Sequence, residues 1–145
     1  MQGGCSVPNL QVDRKLIFVS SDLLRPRNVV EKEKVDNMFP QFSFINHNGH
    51  LAIRGRLKTN FSYYTVRITT TDNYPYHIPV VEIVDGTIKS GCPHRYVDGT
   101  VCLMRPDEWT STFSLALLVA RSAIWLNKYE YWNRHGTWPG NEQSH

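Results

Sequence analysis

The sequence predicts an α+β domain in which helices cover one face of an antiparallel sheet. Three observations carry this. Period-two apolar patterns recur between residues 42 and 84. One long pattern with steps of three and four occupies residues 112–133. The dipeptide Asn48-Gly49, a strong short hairpin signal, joins two of the extended runs. The order helix, four strands, irregular segment, helix favours segregated layers over alternating βαβ units.

Each element follows from local pattern. Pro26 opens and Pro40 closes a helix over 27–38. Phe42, Phe44 and Ile45 begin the first strand. Beyond the Asn48-Gly49 turn, Leu51, Ile53 and Leu57 share one face, with Arg54 and Arg56 on the other. Tyr64, Val66 and Ile68 alternate with Thr65, Arg67 and Thr69, and Val80 to Val84 is the next extended run. The short connections favour neighbouring antiparallel strands. In the helix over 112–133, Leu115, Leu118, Ser122, Leu126 and Tyr129 form the core face. Ser114, Arg121 and Lys128 lie on another, and Ser111 or Thr112 supplies the N-cap. Gly136, Pro139 and Gly140 follow the helix. The apolar patch Leu16-Ile17-Phe18-Val19 has no assigned element.

Composition bounds the class. The 145 residues are 41% apolar and 20% charged, ordinary for one globular domain spanning 1–145. A chain of this size buries roughly 68–70% of its unfolded surface, so no disulfide or metal is needed for folding. The longest apolar run, Leu115 to Ala120, cannot span a bilayer, and the polar start Met1-Gln2-Gly3-Gly4 precedes no apolar leader segment. The expectation is a cytoplasmic protein without membrane contact. Sixteen basic against thirteen acidic residues give +3, too little to argue for nucleic acid. The cluster Arg25, Arg27, Lys32 and Lys34 is interleaved with Glu31 and Glu33 and reads as a solvated helix face. Three cysteines, Cys5, Cys92 and Cys102, point to free thiols in a reducing compartment, with a Cys92–Cys102 disulfide disfavoured. There is no Gly-rich dinucleotide fingerprint and no phosphate loop, so no cofactor is expected.

Residues 85–109 show no sustained period, are rich in Gly, Asp, Pro and Arg, and hold two of the three cysteines. An irregular stretch of this length inside a domain is usually functional. It contains Cys92-Pro93-His94-Arg95-Tyr96-Val97-Asp98-Gly99-Thr100-Val101-Cys102-Leu103. Cys102 follows the turn signal Asp98-Gly99. A thiol in irregular backbone is reachable, and Arg95 and Arg105, if close, would favour its thiolate. The alternative is a buried thiol acting as a small apolar residue. Local chemistry leaves both open.

These motifs, in this order, resemble the ubiquitin-conjugating enzyme (UBC) family. Gly99-Thr100-Val101-Cys102-Leu103 matches the string around the family's catalytic cysteine. Tyr74-Pro75 and Pro79-Val80-Val81-Glu82-Ile83 match its fourth-strand region. Trp109 follows Cys102 by seven residues, one short of the family's interval. The resemblance covers residues 27–135. Cys92-Pro93-His94 stands where the family has His-Pro-Asn, so His94 replaces the asparagine, eight residues before Cys102. Histidine there, with Tyr129-Glu130-Tyr131-Trp132 and Gly136-Thr137-Trp138-Pro139-Gly140, is similar to the prokaryotic branch. Within it, the chain resembles the stand-alone conjugating enzymes of bacterial CBASS antiphage operons.

The resemblance implies a UBC fold and thioester chemistry. Cys102 would accept a protein C-terminus, such as that of a cyclic-oligonucleotide synthase, and pass it to an amine. Activation would come from a separate activating enzyme or by another route. His94 would support the oxyanion, since neutral imidazole donates one hydrogen bond, or it would brace the loop. Asp98, Asp107 and Glu108 are acidic neighbours that family members use to position the amine. Cys92 in the family's histidine slot is expected to be structural, and Trp109 to be core. Three rivals remain: a non-catalytic UBC-like binding module, a zinc site from Cys92, His94, Cys102 and His77, and a cysteine peptidase using Cys102 and His94.

Overall fold

In the computed structural model, which describes residues 13–85 and 88–140, two α-helices and a four-stranded antiparallel sheet give an α+β architecture. Cys5 and the first four residues lie outside the described residues. Helix α1 spans Arg27–Met38, matching the expected bounds. Strands β1 (Ser43–His47), β2 (His50–Lys58), β3 (Tyr63–Thr69) and β4 (Val80–Asp85) pair in chain order. Helix α2 spans Leu115–His135.

The hairpin between β1 and β2 is the Asn48-Gly49 turn. His47 pairs with His50, and both turn residues have positive φ, 53° and 86°, as a two-residue turn of this twist requires. Gly55 is needed for a different reason. A Cβ there would meet the Phe42 ring at 2.6 Å and the Gln41 carbonyl at 2.8 Å. Ile53, Leu57, Tyr64, Val66 and Ile68 point inward as the alternation predicts. Leu51 does not follow them: it lies beside the hairpin turn, outside the core cluster, and is 40% exposed.

Helix α2 lies over β2 and β3, and Leu115, Leu118, Ser122, Leu126 and Tyr129 are all buried. Its N-cap is Ser114, not Ser111 or Thr112. Ser114 has extended backbone, and its Oγ accepts from the Leu117 amide at 3.1 Å. Thr112 instead shares its hydroxyl with Thr110 in the preceding turn. Ser114 also donates to the Leu16 carbonyl at 2.6 Å, while Ile17 bridges Phe113 and the Phe18 amide bonds Thr112 O. The unassigned patch Leu16–Val19 is thus fastened to the start of α2. Gly136, at φ 81°, ends the helix in the left-handed region.

Glu31 corrects the reading of α1 as a solvated charged face. It is 1% exposed. Its Oε1 accepts from the Leu115 amide at 3.0 Å, at the positive end of α2. Its Oε2 accepts from the Tyr74 hydroxyl and from Arg27 Nε. Arg27 also donates to the Ser111 and Phe113 carbonyls, with its guanidinium over Phe18. The other cations of the cluster are paired: Arg25 with Glu33, Lys32 with Asp36 and Lys34 with Asp22. No helix among the described residues is long and apolar enough to cross a membrane.

Candidate functional site

The segment after β4 folds back on itself as a short antiparallel ladder around the Asp98-Gly99 turn. Tyr96 N donates to Thr100 O at 2.8 Å, Arg95 bridges Val101, and Cys102 N donates to His94 O at 2.9 Å. Asp98 Oδ1 accepts from both the amide and the hydroxyl of Thr100, and these bonds hold its carboxyl below the usual range. The ladder is attached to the sheet through Val101 N, which donates to Val81 O at 2.8 Å. His94 and Cys102 therefore stand opposite one another, and Tyr96 sits two residues along from His94.

Cys102 is 4% exposed. Its sulfur is disulfide-bonded, whereas Cys92 is a free thiol. This corrects the expectation of three free thiols. An odd count forbids complete pairing but does not forbid a disulfide. The Tyr96 hydroxyl lies 3.2 Å from Cys102 Sγ. A disulfide sulfur carries no proton, so the hydroxyl is the donor. Beside this contact an apolar cleft of about 230 Å³ opens, lined by Ile78, Pro79, Val81, Tyr96, Leu103 and Met104 among others.

His94 adopts φ 58°. Its carbonyl accepts from Trp125 Nε1 at 3.1 Å as well as from Cys102 N, and its ring lies 4.8 Å from that of Trp138. The Trp125 and Trp138 rings are themselves 5.6 Å apart. The loop is thus braced against two indoles, by the His94 carbonyl on Trp125 and by the His94 ring on Trp138. Trp109 is core, as expected: it is buried, its Nε1 donates to Pro75 O at 2.8 Å, and its ring packs edge-on to Phe113.

The two arginines do not converge on Cys102 as anticipated. Arg105 Nε is paired with Asp107 at 3.2 Å, and its amide bonds Glu108. Arg95 donates to Gly99 O, and its charge is felt at Cys92. Burial outweighs that charge and pushes the Cys92 thiol up to about 12, so Cys92 is a protonated, unreactive thiol. For zinc, no three His, Cys, Asp or Glu side chains are grouped to hold a metal ion among the described residues, and His77 is an exposed partner of Asn73.

Sequence reasoning assigned no role to Tyr96, Trp125 or Trp138. Tyr96 was within reach. Once Asp98-Gly99 is read as a hairpin turn, Tyr96 pairs with Thr100 and shares a face with Cys102. The two tryptophans approach from α2 and from beyond it, contacts that no local pattern encodes.

No curated protein and no solved structure matches the chain. A family model described as Type II CBASS E2 protein matches residues 31–145, which include every member of this site. The chain belongs to the Type II CBASS E2 family.

Proposed function

We propose that this chain is a UBC-like acyl carrier that forms a thioester on Cys102 with a protein C-terminus and transfers the acyl group to an amine. The observation that carries the reading is the ladder that sets Cys102 opposite His94 with the Tyr96 hydroxyl 3.2 Å from Sγ. Family membership supports a conjugation-like role within CBASS. The acting form is the reduced thiolate, so the disulfide at Cys102 is first reduced by two equivalents of a small-molecule thiol, which leave as their own disulfide and release both protein sulfurs. The thiolate attacks an activated carbonyl, a C–S bond forms and the activating group leaves. An amine then attacks the thioester through a tetrahedral oxyanion. The C–N bond forms, the C–S bond breaks, Cys102 leaves as thiolate and the amine proton passes to solvent. A thioester is already activated, so orientation and electrostatic support supply most of the rate.

Tyr96 hydrogen-bonds the thiolate and favours it over the thiol. His94 supports the oxyanion from the opposite rung. Histidine, like asparagine, is among the residues that tolerate positive φ, which fits a His at a position where the UBC family keeps Asn. The apolar cleft beside Tyr96 receives the donor tail. In CBASS the donor is proposed to be the cyclic-oligonucleotide synthase, activated by another protein, in the cytoplasm.

The test uses reduced protein and a peptide α-thioester carrying the synthase C-terminal sequence. The expected product is a 1:1 adduct on Cys102, released by thiols. Cys102→Ser converts it to a thiol-resistant ester or abolishes it, and Cys102→Ala abolishes it. A thiol-labile adduct of undiminished yield on Cys102→Ala overturns the assignment. The burial and disulfide of Cys102 favour one rival, a non-catalytic binding module. That rival is the result if reduced wild type binds the peptide but forms no adduct. His94→Ala and His94→Asn then separate its roles. The Cys102 and Trp125 bonds go to the His94 carbonyl, which every substitution retains. Loss of the side chain should therefore slow thioester discharge about 10²-fold or more, with partial recovery in His94→Asn. Wild-type discharge by His94→Ala removes it from the reaction.

A further inference from the structure

The outer face of the sheet carries a row of cations that the thioester chemistry does not use. Arg54, Arg56 and Lys58 alternate along β2, each exposed, while Gly55 and Leu57 between them face inward. Alternate strand residues are about 6.6–6.8 Å apart, so the row is about 13 Å long. Among the described residues none of the three has an ion-pair partner. Arg54 stands directly opposite Arg67 on β3, and Arg67 is itself held by Glu82 at 2.9 Å. Like charges directly opposed across strands are unfavourable. The fold keeps this pairing.

The row ends in exposed aromatics capped by cations. The Arg56 guanidinium lies 4.5 Å and Lys58 Nζ 5.8 Å from the Tyr63 ring centre, and Arg134 from α2 lies 3.8 Å from that of Phe61. A guanidinium or ammonium held over a ring keeps its N–H groups as donors for a carboxylate.

We infer that this face docks an acidic protein segment, extended along β2 with carboxylates at alternate residues. Such a segment repeats at the spacing of the row. A second copy of this chain is a poor occupant. None of its strands among the described residues carries carboxylates at alternate positions. A nucleic acid also fits less well. The row offers three cations, against the roughly 6–10 phosphate contacts of a typical nucleic-acid footprint. The inference is independent of Cys102.

Fluorescence anisotropy with a labelled decapeptide alternating Glu and Ser tests it, at 0.15 M salt, beside a labelled single-stranded oligonucleotide. Saturable binding of the peptide is expected. It should weaken at least tenfold in the triple variant Arg54→Glu, Arg56→Glu, Lys58→Glu and by less in the corresponding triple Gln variant. The same charge change off the face, Arg14→Glu with Lys15→Glu and Lys32→Glu, should leave it within about twofold. Thermal melting checks that each variant folds, and the Gln variant carries the test if the Glu variant does not. No saturable peptide binding, equal binding by the face and control variants, or tighter binding of the oligonucleotide through the same three residues overturns the proposal.

Discussion

The junction between α1 and α2 and the ladder bearing Cys102 are both irregular, polar and conspicuous in the structure, yet they are built on opposite principles. At the junction, side chains far apart in sequence meet. Glu31 reaches Leu115, 84 residues on, and Tyr74, 43 residues on, while Arg27 reaches Phe113, 86 residues on. In the ladder, the internal bonds join residues two to eight apart, as from Thr100 to Asp98 and from Cys102 to His94. Its hydrogen bonds to the sheet and to α2 engage backbone atoms, the Val101 amide and the His94 carbonyl, beside two side-chain ties, the His94 ring on Trp138 and the Cys102 disulfide. The first arrangement makes side chains indispensable to folding. The second fixes the backbone largely by its own hydrogen bonds, so that in the reduced protein the side chains of His94, Tyr96 and Cys102 can be replaced at smaller cost.

The strongest way to break this contrast is at Glu31. Removing its carboxylate strands the Leu115 amide and the Tyr74 hydroxyl and leaves Arg27 without its counter-ion. Breaking a buried pair in this way costs about 3–5 kcal/mol. Glu31→Ala should fall toward the lower end, because Arg27 keeps two carbonyl acceptors. Tyr74→Phe should cost about 1.5–3 kcal/mol through the loss of one bond to a charged group. Urea denaturation reads both. A loss under about 1 kcal/mol for Glu31→Ala would mean that the junction is not what holds the helices together.

The matching substitution in the ladder should spare stability and strike the chemistry. Tyr96→Phe removes the hydroxyl at Cys102 Sγ. A hydrogen bond to a charged group is worth about 1.5–3 kcal/mol, so thioester formation by the reduced protein should slow roughly tenfold or more. The pH at which the Cys102 thiol reacts with iodoacetamide should rise by about one unit, with the melting temperature nearly unchanged. A reactivity profile unmoved by Tyr96→Phe would separate Tyr96 from the thiolate. Trp125→Phe sharpens the comparison from the other side. It removes the indole donor to His94 O and should cost about 1 kcal/mol while slowing discharge, because the rung carrying His94 loosens.

The contrast also explains what the sequence could reveal. Period and punctuation located α1, the four strands and the Asn48-Gly49 turn, because each is set by neighbours within a few residues. The same local logic gave the ladder its turn at Asp98-Gly99. It failed at Glu31, whose place between Arg27 and Lys32 suggests a solvated face, because its burial is decided by Leu115 and Tyr74. It failed at the α2 N-cap for a related reason. Ser111, Thr112 and Ser114 are all competent caps, and the choice of Ser114 goes with its bond to Leu16. Around Cys102, the turn at Asp98-Gly99 and the eight-residue interval to His94 were legible, but not the disulfide or the two indoles behind His94.

The smallest expected effect tests whether the two cysteines, both buried, differ in how readily they ionise. Cys92 is buried, its Sγ donates to Pro93 O at 3.3 Å, and burial, partly offset by Arg95, pushes it up to about 12. An unfolded cysteine titrates near ~8.5. Below that pH the thiol is protonated in both states and contributes no pH dependence. Above it the unfolded chain releases the proton while the folded chain retains it, so the folded state binds more protons and stability falls as pH rises toward 12. In reductant, the urea midpoint of wild type should therefore drop between pH 7 and pH 10, and Cys92→Ala should lessen the drop. Native Cys92 should resist iodoacetamide at pH 8 under conditions where reduced Cys102 is labelled. Equal pH slopes in the two proteins, or labelling of Cys92 as fast as Cys102, would show that the ladder does not distinguish its two cysteines.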